Sequence, residues 1–247
     1  MLLIDYFYDK FYFTKNKFHL FMKTLSRILF AFILIAGLAS CKSDSKAQKA
    51  GEAASTAKAT VTSKTYTVSP AESSVTWVGS KKIGGASHNG TIKLTSGSLA
   101  AEGGKITSGN FVIDMTSITN VDLAGSKMAG KLEGHLKNED FFDVANHPTA
   151  KFTITSVAPL AGNDSANYTI NGNLTMKGVE KNISFPAMVA VIGDKISATA
   201  ASFAINRTDW GIKYGSEASF ADLAKDKVIS DDINLTIGLM ASSGMVK

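Results

Sequence analysis

From Lys64 onward, apolar and polar residues alternate in short runs broken by Gly, Asn and Asp. The runs YTVS, SVTWVGS, NGTIKLTSGSL, GNFVIDMTSI, AKFTITSV, NYTINGNLTM, NISFPAMVAVI, KISATAASFAIN and DINLTIGLMA predict strands. Tyr168, Ile170, Leu174 and Met176 share one parity, as do Ile183, Phe185, Val189 and Val191, and Ile233, Leu235, Ile237 and Leu239. A period of two puts each set on one face of its strand. Ile196 and Ala198 lie on even positions but Phe203 and Ile205 on odd ones, which predicts a bulge near Ala201. Two stretches depart from this pattern. Within Asn120 to Phe142, Met128, Leu132 and Leu136 recur at helical spacing and predict one short amphipathic helix. Phe220 and Leu223 suggest a second helix between Ser216 and Lys225. Strands at regular spacing without βα alternation predict one antiparallel barrel or sandwich.

The first sixty residues have another texture. Lys23 and Arg27 precede the 11-residue apolar run Ile28 to Leu38, then Ala39, Ser40 and Cys41. The run has signal-peptide length and is shorter than the roughly 20 residues of a membrane-spanning helix. Leu38-Ala39-Ser40-Cys41 resembles the bacterial lipobox, whose Cys is diacylated after cleavage before it. The reading is a lipoprotein signal peptide over 22–40, with Cys41 as the lipidation site and Met22 as the true start. Residues 1–21 are then a mis-annotated upstream extension. Ala, Ser, Lys and Thr supply 17 of the 22 residues from Lys42 to Ser63. Residues 41–63 therefore read as the lipidated Cys and a disordered tether, with an r.m.s. reach of roughly 25 Å. The domain is 64–247.

Composition sharpens this division. The chain of 247 residues carries a formal charge of +5, yet from residue 64 onward Lys plus Arg and Asp plus Glu both number 17. The excess charge belongs to the leader and tether, so no nucleic-acid footprint is expected. The single Cys excludes an intramolecular disulfide framework. His88, His135 and His147 match no common zinc spacing, and no metal or cofactor is expected. No nucleophile elbow, phosphate-binding loop or dinucleotide fingerprint is present. The Gly-Gly pairs at 84–85 and 103–104 read as hairpin turns. Glu139, Asp140, Asp143 and His147 read either as a solvated acidic turn or as a site for a lipid-headgroup-modifying enzyme. Phe111, Phe152, Ile154, Tyr168, Leu174, Phe185, Phe203 and Trp210 are the candidate inward, tunnel-lining residues. Gly172, Ala198, Ala200 and Ala204 would leave room for a long thin ligand. Arg207 and Asp209 share a parity and are expected to pair.

Three ordered motifs carry a family resemblance. His135-Leu136-Lys137-Asn138-Glu139-Asp140-Phe141-Phe142-Asp143-Val144 is followed by His147-Pro148 and Lys151-Phe152-Thr153. Asn171 to Gly178 forms a Gly-x-Leu-Thr-x-x-Gly stretch. Phe203 to Ile212 combines Arg207, Asp209, Trp210 and Gly211. Tyr66 to Ala241 resembles the YceI-like family of bacterial periplasmic lipid-binding proteins. The resemblance implies an extended, lipocalin-like, eight-stranded antiparallel β-barrel with one or two short helices and a long apolar tunnel. It also implies a non-covalent isoprenoid-like lipid ligand, be it a quinone, a polyprenyl phosphate or an acyl lipid. The protein is expected to bind or carry that lipid without covalent chemistry. Its place would be the outer membrane, facing the periplasm, through Cys41. The alternatives are the headgroup enzyme and a solid-core surface interaction module. A homodimer stays open.

Overall fold

The computed structural model describes residues 46–217 and 227–244. The segments 1–21 and 22–40, the expected lipidation site Cys41, and most of the second helical spacing lie outside those residues.

Ten strands form one sheet that closes on itself: β1 (Gly51–Glu52), β2 (Lys64–Val68), β3 (Ser74–Lys81), β4 (Ser87–Glu102), β5 (Lys105–Asn120), β6 (Thr149–Pro159), β7 (Tyr168–Met176), β8 (Val179–Ile192), β9 (Lys195–Asn206) and β10 (Ile229–Ser242). β2 and β3 are separated by a 3-10 turn at Pro70–Glu72, and both pair with β4 and β10, so they occupy a single position in the wall. Antiparallel pairing runs from β4 through β9 to β10 and back, which makes an eight-stranded barrel. Closure satisfies the backbone groups that an open edge would leave unpaired. The expected bulge falls where the parity placed it, since Leu235 opposes Phe203 while Ile237 opposes Ala200.

The two ends differ. At one end lie two tight turns and the β6–β7 link of residues 160–167. Gly103 and Gly104, both at positive φ, turn β4 into β5, and Gly193 helps turn β8 into β9. At the other end lie β3–β4, the long β5–β6 link, the Lys177–Gly178 turn and the β9–β10 link. Lys177 and Gly178 both have positive φ, the requirement of a type I′ hairpin turn. The β5–β6 link carries the one α-helix among the described residues, α1 (Lys127–Lys137), begun by the Ser126 hydroxyl accepting from the Met128 amide at 3.2 Å. Its stripe is graded: Leu136 is buried and Leu132 half-buried, while Met128 is exposed.

Two seams of the wall are incomplete, and β5 pairs with β6 only over Asn110–Asp114 and Thr149–Thr153. β8 pairs with β9 only over Met188–Ile192 and Lys195–Thr199. Toward the helix-bearing end the two strands diverge. The stretch read as a tether fills the gap. Gln48 forms a parallel bridge to Ile205 of β9, and Gly51 and Glu52 pair with Asn182 and Lys181 of β8. Residues 46–63 then continue as a strap across the outside of the barrel. The Ala47 amide donates to Asp232 (3.3 Å), Ala50 to Asp209 (2.9 Å) and Ala54 to Asn173 (3.0 Å), and the Ala57 amide reaches the Ile154 carbonyl at 2.9 Å. Asn173 returns a bond from its amide to the Ala54 carbonyl at 2.7 Å, so one side chain serves as a strand's donor and acceptor. Thr60 and Thr62 donate to Glu102 beside the β4–β5 turn. A chain with little apolar surface is thus held by polar bonds that composition does not register.

Candidate functional site

Inward-facing residues of all eight wall positions enclose a cavity of about 350 Å³. That lies within the range of small-molecule sites. At the short-turn end its lining is Leu99, Ile106, Ile170, Val189, Ile196 and Leu239, all buried. The Tyr66 hydroxyl donates to the Gly193 carbonyl at 3.0 Å and ties that end shut. At the opposite end the lining includes Lys81 and Ala86, both exposed, and partly exposed Gly79, Ser80 and His88. This is the mouth. Ser80, Lys81, His88, Arg207 and Ser230 all lie there, and beyond them the lining side chains are apolar, the Trp77 ring among them.

Six of the eight candidates line the cavity: Phe111, Phe152, Ile154, Leu174, Phe185 and Phe203. Four of them make an aromatic ladder. Phe111 to Phe152 is 6.2 Å, Phe152 to Phe185 is 5.6 Å, and Phe185 stacks on Phe203 at 4.4 Å. The last pair spans the diverging seam. Tyr168 does not line the cavity; it opens β7 at the closed end and packs against the core from there. Trp210 does not line it either. The chain leaves β9 after Asn206 for a 3-10 turn, so strand parity no longer applies. Trp210 is buried under the strap, and its indole N–H donates to the Leu174 carbonyl at 2.9 Å.

The same turn overrides the expected Arg207–Asp209 pair. Asp209 accepts from the strap, while Arg207 bonds the carbonyls of Ser230 (3.0 Å), Ile212 (2.8 Å) and Ile229 (3.3 Å) and the carboxylate of Asp231 (3.2 Å). Burial draws its pKa below the usual guanidinium value, and the Asp231 charge opposes that shift. The guanidinium also lies 5.8 Å from the centroid of Phe141, placing a fixed cation beside the mouth. Across the mouth, Asp122 accepts from the Asn89 amide (2.9 Å), His88 Nδ1 (2.8 Å) and the Asn120 side-chain amide (2.6 Å). The backbone bond from Asn89 leads, and with the others it lowers the Asp122 pKa to about 2.

The small residues divide. Ala198 and Ala200 line the cavity, whereas Ala204 faces the strap. Gly172 makes room for protein and not for a guest, because a Cβ there would lie 2.2 Å from Phe152 Cζ. The acidic cluster stands outside the lining. Glu139 and Asp140 are exposed, and Asp143 accepts from Asn146 at 3.0 and 3.2 Å. His147 Nε2 is 3.9 Å from Asp143. Among the described residues no group of three His, Cys, Asp or Glu is placed to hold a metal.

Several lining residues escaped the candidate set although their parity was visible. Ile183, Ile233, Leu235, Ile237 and Ile196 all face inward. Trp77 is the most informative omission. It is 7% exposed, and its Nε1 has no hydrogen-bond partner among the described residues. That atom has essentially no accessible surface, so the ring and not the N–H meets the chamber.

Among the described residues the fold and cavity define a lipocalin-like barrel: eight antiparallel strands, one α-helix and an apolar chamber open at one end. The chain belongs to the YceI-like domain family, whose profile matches residues 66–241. A Salmonella arizonae protein named YceI is 32% identical over 113 residues, 46% of this chain and 48% of its own length. A UPF0312 protein of Pectobacterium carotovorum is 40% identical over 60 residues, 24% of this chain and 29% of its own. The chain therefore spans half or less of the curated relatives it matches. Among solved structures, Burkholderia cenocepacia BcnA superposes with a TM-score of 0.54 at 23% identity, over 71% of this chain and 99% of that one. A polyisoprenoid binding domain from Saccharophagus degradans gives 0.53 at 20%, over 72% and 98%. Both have this fold.

Proposed function

We propose that this protein binds or carries an isoprenoid-like amphiphile in its barrel, with the tail in the closed end and the polar head at the mouth, and performs no covalent chemistry. The carrying observation is the gradient of the lining. Polar side chains gather at one end of an otherwise apolar chamber, as one long amphiphile requires. Each buried methylene contributes about 0.8 kcal/mol, so ten carbons give roughly 8 kcal/mol before the cost of association. The Saccharophagus neighbour's description as polyisoprenoid binding agrees with this reading.

The head has a stated chemistry. Arg207 beside the mouth favours a polar or anionic group. A quinone carbonyl, a polyprenyl phosphate and an acyl lipid carboxylate or ester all supply one. We further infer that Cys41 carries the lipid anchor and that the protein works in the bacterial cell envelope, at the outer membrane and facing the periplasm. Native mass spectrometry of protein purified from its own host tests the binding reading. A co-purifying amphiphile with an isoprenoid or acyl tail is expected. An empty barrel that takes up none of these lipids from vesicles overturns it.

A further inference from the structure

We propose that the mouth end of the barrel is held against the lipid surface that carries the anchor, so that the cavity opens toward the bilayer. This rests on reading Cys41 as the lipidation site.

The strap decides the orientation. Its first described residues, Lys46 to Ala50, sit at the mouth end, on Asp232, Ile205 and Asp209. Its last residues reach Glu102 at the closed end. Only the five steps from Cys41 to Lys46 separate the anchor from the barrel, a maximum span of about 17 Å. Strands of 16 residues, tilted as in such barrels, give a wall roughly 40 Å long. The anchor cannot reach the closed end from Lys46. A free tether of 42–63 would instead leave from Lys64, at the closed end, and would present that end to the membrane.

The mouth carries apolar residues suited to a lipid surface. Ile83 on the β3–β4 turn is 50% exposed, Val121 after β5 is 53%, and Met128 in the first turn of α1 is 55%. Ile192 at the closed end is 76% exposed, so exposure alone does not choose between the ends. The reach of the chain does. A lipid leaving the bilayer would reach the chamber without crossing open water.

The test uses natively lipidated protein in phosphatidylcholine vesicles. Cys41 is then blocked as a thioether, so Ile83→Cys or Ile192→Cys supplies the one free thiol for a fluorophore. With nitroxide-labelled lipids in the bilayer, quenching at 83 should exceed that at 192 severalfold. Equal quenching, or more at 192, overturns the proposal. Releasing the strap with Asn173→Ala and Asp209→Ala should shrink the difference while the barrel still melts cooperatively. An unchanged difference also overturns it. Intact mass and vesicle flotation report lipidation separately. If the anchor is missing, a chain starting at a hexahistidine fused to Cys41→Ser, captured on nickel-chelating lipids, fixes the same point to the membrane. The quenching contrast there decides the orientation by itself.

Discussion

The two ends of the barrel solve opposite problems with the same strands. At the closed end, short turns bring Tyr66 against Gly193 and leave Ile196 with no exposed surface. At the mouth, longer connections carry a helix, a buried arginine and a carboxylate that clamps two strand ends. Apolar packing closes one end, and hydrogen-bonded polar groups shape the other. The difference teaches where to look for function. Tight hairpins finish a core, whereas long connections on a rigid scaffold hold the groups that meet a guest.

The comparison can be broken by substitution. The largest effect is expected at the closed end. Ile196→Ala should remove about 2–5 kcal/mol of stability, read by urea denaturation, because the tight packing there relaxes little. An intact melting profile would mean that this end is not packed shut. Next comes Trp77→Phe, which trims the ring that lines the chamber. It should weaken binding of a carbonyl-bearing isoprenoid and of a bare isoprenoid hydrocarbon alike, by less than about fivefold. Fluorescence titration with the two ligands measures this, and a loss confined to the carbonyl-bearing ligand would overturn it.

The smallest effect is a pH step confined to the mouth. The Asp122 pKa is lowered in the fold from its ordinary 3.8 to about 2. Its clamp is therefore fully present above the ordinary value and is lost as pH falls through about 2. Amide signals of Asn89 and Asn120 should shift in that window, and Asp122→Asn should abolish the step while Gly193, at the closed end, reports no change linked to Asp122.

Much of this architecture is legible in the chain. Alternation marked the strands, and the parity slip near Ala201 located a real change of register. The spacing of Met128, Leu132 and Leu136 found the helix. Six inward candidates were recognisable because they lie inside strands, where the period of two holds. Trp210 and the Arg207–Asp209 pairing failed for one shared reason, the exit from β9 at Asn206, which no periodicity announces. The strap was hidden more deeply. Its bonds go from backbone amides to Asp209, Asn173 and Asp232, residues more than a hundred positions away. Such contacts follow from the closed barrel and leave no local pattern. The unpaired Trp77 likewise became visible only once its surroundings were known.

The seam between β8 and β9 also imposes a chronology. The strap is the earliest part of the described chain to be synthesised, yet its partners Asp209 and Asp232 lie 159 and 185 residues further on. Contacts of such separation form late, because the chain between must first be organised. The barrel must close before the gap that receives the strap exists. The earliest described segment is thus the last to be seated, after the wall that receives it has been built.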